Sequence, residues 1–64
     1  IVLNGQSRDV ADGMALSELL DHLGAVRGRV AVVVNEDVKA TSTWASTPLH
    51  EGDRVEILTL AAGG

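Results

Sequence analysis

The group of this chain best suited to group-transfer chemistry is the α-carboxylate of Gly64, which follows Gly63 and the pair Ala61 and Ala62. A carboxylate is a poor electrophile until one of its oxygens becomes a good leaving group. Glycines lack a Cβ and adopt either sign of φ, so a Gly-Gly end can enter a narrow active site. The AAGG tail therefore indicates activation of the terminus, and a frayed chain end is the alternative.

The other reactive side chains do not form a recognisable site. His22 follows Glu18 by one helical turn, but two ligands do not make a metal site, and a solvated i, i+4 pair explains the spacing. Ser17, Ser42 and Ser46 have no base near them in the sequence. The chain has no cysteine, which excludes disulfides, thiolate metal sites and a thiol nucleophile. We therefore expect no catalytic residues, no metal and no bound cofactor.

Length and charge exclude several classes of function. A chain of 64 residues is one small domain that buries about 60% of its unfolded surface, which leaves no room for a deep catalytic cleft. Its net charge of -4 lacks the basic footprint that binds nucleic acid. The longest apolar run, residues 30–34, is too short to span a bilayer, and no signal segment opens the sequence. We expect a cytoplasmic protein that binds neither nucleic acid nor membrane.

The first half of the sequence predicts a hairpin followed by a helix. Asn4-Gly5 lies between an apolar run and a more polar one, and this dipeptide favours a tight hairpin turn. Apolar residues then recur at i, i+3, i+4 and i+7, which places them on one helical stripe. The stripe consists of Leu16, Leu19, Leu20 and Leu23, and Gly24 is expected to end the helix.

The second half predicts two strands joined by an irregular crossover. Residues 30–34 are continuously apolar and β-branched, which favours a central strand. Residues 35–37 form a turn, and residues 38–49 are expected to be irregular or to contain short elements, with Trp44 anchored in the core. Residues 54–60 are the last strand.

Strand alternation separates a core face from an exposed face. We expect the leucine stripe to pack against the inward set Val30, Val32, Val34, Val55 and Ile57. On the opposite face we expect an exposed apolar patch that partners bind, formed by Val2, Leu58 and Leu60.

The element order is that of the ubiquitin-like β-grasp fold, an α+β arrangement with a mixed sheet of four to five strands on one main helix. We expect the β-grasp domain to cover residues 1–60 and a flexible tail to cover residues 61–64.

Several segments together resemble the ubiquitin-like sulfur carrier family, and most closely its thiamine-biosynthesis branch, the ThiS-type carriers. They are IVLNGQ, LSELLDHLG, AVVVNEDV, TSTWASTPL, HEGDRVEILT and the terminal GG. Each segment is weak evidence alone, but their order in so short a chain is specific. The sequence departs from the family pattern at Ala40-Thr41, where a Pro-Arg pair is frequent, and at the start of the helix, which lacks the usual Thr or Ser cap.

The resemblance implies a carrier that serves as cosubstrate of other enzymes and is not itself an enzyme. An E1-like adenylyltransferase of the ThiF type would use ATP to adenylate Gly64. A sulfur donor such as a cysteine desulfurase would then supply sulfur to form a thiocarboxylate. Thiazole synthase of the ThiG type would accept this sulfur for the thiazole of thiamine.

Three other functions fit the same residues. A MoaD-like or other sulfur carrier would differ in its acceptor, and a ubiquitin-like modifier would transfer the activated Gly64 to a lysine. A passive β-grasp interaction domain would make no use of the tail. The Gly-Gly end with nothing after it favours the sulfur carrier.

Overall fold

A computed structural model of the protein describes residues 1–60, which form one mixed sheet with one main helix. The elements are β1 (Val2–Leu3), β2 (Gln6–Ser7), α1 (Leu16–Leu23), β3 (Val30–Val34), β4 (Asp37–Lys39), a 3-10 helix (Thr41–Ser46) and β5 (Arg54–Thr59). The strand order is β2-β1-β5-β3-β4. This sheet of five strands agrees with the predicted α+β, β-grasp arrangement.

The last strand, β5, lies in the middle of the sheet. It runs parallel to β1, where Leu3 is opposite Val55, and antiparallel to β3 through five residue pairs. The sequence favoured residues 30–34 as the central strand. β3 is indeed an interior strand, between β5 and β4, but the middle position belongs to β5.

The strand β4 was not predicted as a separate element, because the turn before it lacks glycine. Asn35 and Glu36 form a two-residue hairpin turn in which both have positive φ, 50° and 72°. This geometry suits a type I′ turn, although glutamate rarely adopts it. The side chain of Asn35 donates to Asp53 Oδ1 at 3.0 Å, and its Oδ1 accepts from the Arg54 N–H at 2.9 Å. These contacts hold the turn in a conformation that the local sequence does not favour.

The helix α1 begins without a capping side chain. Its N-cap is Ala15, which has no side chain able to accept a hydrogen bond. The Leu16 N–H donates instead to the Thr47 carbonyl of the crossover segment at 2.8 Å, so one of the four free amides of the first turn is paired. The helix ends at Gly24, as predicted, in the left-handed conformation with φ 72°.

The core lies between α1, the 3-10 helix and one face of the sheet. Its buried members are Leu3, Leu16, Leu19, Leu20, Val32, Val34, Trp44, Leu49 and Val55, with Val30 and Ile57 partly buried against them. The predicted anchoring of Trp44 is confirmed: it is 2% exposed, and its Nε1 donates to the Lys39 carbonyl at 3.0 Å. The placement of Leu23 in the buried stripe was wrong. This residue ends the helix and is 36% exposed, because the helix reaches the margin of the sheet there.

Asp53 connects three segments just before β5. Its Oδ1 accepts from the side chain of Asn35, and its Oδ2 accepts from the His50 backbone N–H at 2.8 Å. These two hydrogen bonds, the one from Asn35 above all, hold the pKa of the Asp53 carboxyl below its ordinary value of 3.8. The ionised carboxylate therefore stabilises the folded state.

We expect Leu20→Ala to lower the free energy of unfolding by about 2–5 kcal/mol, because it leaves a cavity under the sheet. Leu23→Ala makes the same chemical change at an exposed position and should cost well under about 1 kcal/mol. Urea unfolding followed by circular dichroism measures both. Equal losses for the two variants would contradict the core described above.

The second expectation concerns acid stability. Because the folded-state pKa of Asp53 is depressed, its contribution is present above the unfolded-state pKa and is lost as the pH falls through the folded-state value. Asp53→Asn should therefore lower stability at neutral pH and flatten the acid limb of the stability curve below about pH 4. Asp9→Asn is the control, since Asp9 is exposed and makes no side-chain hydrogen bond within residues 1–60. Parallel acid limbs for the parent and Asp53→Asn would show that Asp53 does not stabilise the fold through its charge.

Candidate functional site

In the sequence, the predicted reactive end of the chain follows β5 by a few residues. The attachment residue Gly64 and the tail residues Gly63, Ala62 and Ala61 lie outside the described residues. The described chain ends at Leu60, whose N–H donates to the Arg29 carbonyl at 2.9 Å. The folded body therefore continues its hydrogen bonding to the residue before the tail.

Asn4 fixes the C-terminal half of β5 on the other side. The parallel pairing of β1 with β5 stops at Leu3 and Val55, because β1 has only two residues. Asn4 follows with positive φ, 48°, and its N–H donates to the Val55 carbonyl at 2.9 Å. Its Oδ1 accepts from the Ile57 N–H at 2.8 Å. A side chain thus substitutes for the missing ladder bond just before the strand leads into the tail.

The predicted alternation along β5 is confirmed. Val55 is buried, whereas Leu58 is 52% exposed. Leu58 lies opposite Ala31 of β3, and Val33 of β3 lies opposite Val38 of β4. Because residues paired across strands share a face, these side chains lie on the face of the sheet away from α1. We call this the open-face patch: Ala31, Val33, Val38 and Leu58.

The structure does not bring Val2 next to Leu58. Val2 lies opposite Arg54, four residues before Leu58 on the same strand, which corresponds to about 13 Å along the strand. Glu56 lies between them on the same face. Leu60 is 48% exposed and follows the end of β5. That Val2, Leu58 and Leu60 form one partner-binding surface stays a prediction, and the neighbours that the structure gives Leu58 are those of the open-face patch.

Sequence reasoning missed two residues of this patch, Ala31 and Val33, for an identifiable reason. Residues 30–34 were predicted to form a central strand because the run is continuously apolar, and no exposed residue was predicted within it. In the structure Val32 and Val34 are buried, while Ala31 and Val33 are only partly covered. Burial alternates along β3, but a run in which every residue is apolar shows no alternation of residue type from which this could be predicted.

Charged groups border the open-face patch. Arg54 Nη2 lies 3.4 Å from Glu36 Oε1, and both side chains are largely exposed, so this pair stabilises the fold little. Glu56 stands opposite Val33 in the register. The patch is therefore an apolar strip with a polar border, a composition common at protein interfaces.

The candidate metal ligands of the sequence do not converge. No group of three or more His, Asp or Glu side chains within residues 1–60 is arranged to hold a metal ion. His50 Nδ1 lies 3.5 Å from Asp12 Oδ1 at the surface, and His22 belongs to the last turn of α1. No helix of the described part of the chain is both long and apolar enough to cross a membrane.

Sequence comparison relates the whole chain to known carriers. The ThiS family profile matches residues 1–64. The sulfur carrier protein ThiS of Thermus thermophilus is 37% identical over 62 residues, which cover 97% of this chain and 95% of that protein. The sulfur carrier protein ThiS of Escherichia coli is 28% identical over 64 residues, 100% of this chain and 97% of that protein.

A longer relative contains a segment of the same kind. The thiazole synthase of Paramagnetospirillum magneticum is 33% identical over 64 residues, which are 100% of this chain but 20% of that protein. This chain therefore spans one fifth of the length of that relative.

The fold supports the same relationship. The crystal structure of the thiamine biosynthesis protein ThiS from Geobacter metallireducens superposes with a TM-score of 0.80 and 30% identity, covering 98% of this chain and 96% of that one. The sequence profile, the carriers of matching length and the shared β-grasp architecture lead to one conclusion. The chain belongs to the ThiS family.

Proposed function

We propose that the protein is a sulfur carrier of thiamine biosynthesis that works through the carboxylate of Gly64. One observation carries the proposal: the chain matches ThiS carriers over nearly its whole length and theirs, and the pair Gly63 and Gly64 follows the middle strand within a few residues. A carboxylate oxygen attacks the α-phosphate of ATP and pyrophosphate leaves. A sulfur nucleophile then attacks the acyl carbon of the adenylate and AMP leaves. Sulfide gives the thiocarboxylate directly, whereas a donor persulfide gives an acyl disulfide, which a thiol reduces to release the thiocarboxylate.

The folded body supports this role by holding the base of the tail in place. β5 is paired on both sides, and Leu60 is hydrogen-bonded to Arg29. Any four residues, fully extended, span at most about 14 Å. A partner that acts on Gly64 must therefore bring its reacting atoms within about this distance of Leu60, which requires close contact with the surface around the end of β5.

The proposal assigns three partners to the chain, which supplies the substrate group and no catalytic residue. An E1-like adenylyltransferase of the ThiF type uses ATP to activate Gly64, and a sulfur donor such as a cysteine desulfurase provides the sulfur. Thiazole synthase receives it. The last assignment is supported by the relative named thiazole synthase, which contains a segment similar to this entire chain. The need for ATP favours the cytoplasm.

The proposal predicts that Gly64 must be the terminal residue and that Gly63 must stay small. Deleting Gly64, appending one alanine after it, or replacing Gly63 by Trp should each abolish ATP–pyrophosphate exchange with the adenylyltransferase. Misplacement of the reacting carbonyl by about 1 Å costs on the order of 10²-fold in rate, and a side chain at Gly63 restricts φ and adds bulk. Circular dichroism should show that all three variants stay folded.

Intact-mass analysis completes this test. With ATP, adenylyltransferase and a sulfur source, the parent should gain the mass of one oxygen-to-sulfur replacement at its terminus. Normal exchange by the alanine-extended variant would favour the passive interaction domain. Transfer of the activated terminus to lysine, with no gain of sulfur, would favour the modifier.

The partner surface leads to a separate expectation. Leu58→Glu should weaken binding to the adenylyltransferase by about tenfold or more, because docking would desolvate an unpaired charge at an apolar position. Ser42→Glu adds the same charge at an exposed position of the 3-10 helix, on the other side of the sheet, and is the control. Isothermal titration calorimetry compares the two. Equal affinities would remove Leu58 from the interface.

A further inference from the structure

A groove runs along the side of the molecule where α1 ends and β5 leads into the tail. It is distinct from the open-face patch, since it lies between the helix and the inner side of the sheet margin. Its walls include Leu23, Val26, Arg29, Val30, Ile57 and Thr59. Val26 is 60% exposed, so the groove presents apolar surface to solvent. We call it the edge groove.

The backbone of β5 along this groove has an open edge. The Arg54 N–H donates to Asn35 Oδ1, and the Arg54 carbonyl accepts from the Asn35 N–H. The Leu60 N–H donates to the Arg29 carbonyl, so the backbone groups of Arg54 and Leu60 both point to the β3 side of β5. Because backbone groups of successive residues in a strand point to alternate sides, those of Ile57 and Thr59 point toward β1. β1 pairs only as far as Val55. The C-terminal half of β5 therefore has a strand on one side and no strand on the other within residues 1–60.

One of the backbone groups on this edge is already satisfied. The Ile57 N–H donates to Asn4 Oδ1. The Ile57 carbonyl and both backbone groups of Thr59 have no hydrogen-bond partner among residues 1–60. A short row consisting of an acceptor, a donor and a second acceptor remains beside an apolar groove. An extended peptide binds such a row by adding a strand, with alternate side chains entering the groove.

Charge adds a second feature to the groove. Arg29 is the charged residue of its lining, in a chain of net charge -4, and no acidic residue lines it. An extended segment with an apolar side chain for the groove and a carboxylate near Arg29 would match both features.

We propose that an extended segment of thiazole synthase adds to the open edge of β5 as a further strand, places an apolar side chain in the edge groove and sets a carboxylate beside Arg29. The proposal rests on the proposed function, which makes thiazole synthase the acceptor. It is supported by the relative in which a thiazole synthase carries a segment like this chain. The edge ends next to Leu60, so a strand added there holds the acceptor at the base of the tail.

Hydrogen exchange of the complex tests the strand directly. The Thr59 amide should exchange rapidly in the free protein and become protected when purified thiazole synthase from the same organism is added. The Ser7 amide is the matched reference. Ser7 lies on the edge strand β2, two strands away from β5, and its pairing with Val2 alternates with hydrogen-bonded pairs, so its N–H also faces away from the sheet. It should exchange equally in both states.

Proline variants test the hydrogen bond from the donor. Thr59→Pro removes an N–H that no strand of residues 1–60 uses, as Ser7→Pro does on the edge strand β2, so both should stay folded. Thr59→Pro should weaken binding of thiazole synthase fivefold to tenfold, the effect of one lost hydrogen bond, and Ser7→Pro should bind like the parent.

Arg29→Glu should weaken binding of thiazole synthase more than Arg8→Glu does, and the difference between the two variants should shrink as salt is added.

The outcomes separate this inference from the proposed function. Protection confined to the open-face patch, or an unprotected Thr59 amide in a stable complex, would overturn the added strand whatever the proline variants do. Absence of a complex would overturn it as well, while ATP–pyrophosphate exchange and sulfur loading of Gly64 would still report on the carrier function. If Thr59→Pro fails to fold, hydrogen exchange of the parent complex decides.

Discussion

The structure depends on how β5 is held from both sides by two asparagines in left-handed conformations. Asn4 ends the first strand and Asn35 begins the second hairpin turn. Each donates its backbone N–H to a carbonyl of β5, and each accepts a backbone N–H of β5 on its side-chain oxygen. Asparagine tolerates positive φ better than most residues and carries an acceptor of the right length. These contacts define where β5 lies and therefore where the tail leaves the body.

A domain this small needs such polar contacts because its core is small. Nine of the residues in 1–60 are buried, and the helix contributes only three of them. Trp44 supplies the largest buried side chain from a 3-10 helix, and the crossover backbone pairs with the first amide of α1. The crossover therefore closes the core and also substitutes for the missing helix cap. This explains how a helix that begins with alanine is stable without a capping side chain.

The sequence predicted those features that depend on local patterns. The spacing of apolar residues predicted the helix from Leu16, and Gly24 predicted its end. The Asn4-Gly5 dipeptide predicted the first hairpin, and strand alternation predicted the two faces of β5. Prediction from the sequence failed where residues far apart in the sequence determine the local structure. The turn at Glu36 forms because the side chain of Asn35 is hydrogen-bonded to Asp53 and Arg54, which are eighteen and nineteen residues away in the sequence. The separation of Val2 from Leu58 follows from a parallel register that no local pattern encodes. The chemistry proposed for Gly64 came from residue types and family resemblance, and its test is biochemical.

The end of β5 offers two different surfaces, and their separation bears on how one carrier would serve the two enzymes proposed as its partners. The open-face patch lies on the outer face of the sheet, whereas the edge groove lies beside α1 at its margin. Both adjoin Leu60, and the short reach of four residues prevents two enzymes from acting on one terminus together. An adenylating enzyme on the face and an acceptor on the edge would therefore compete for the tail while recognising different side chains. Substitutions on one surface could then change activation without changing delivery, which a single shared surface would not permit.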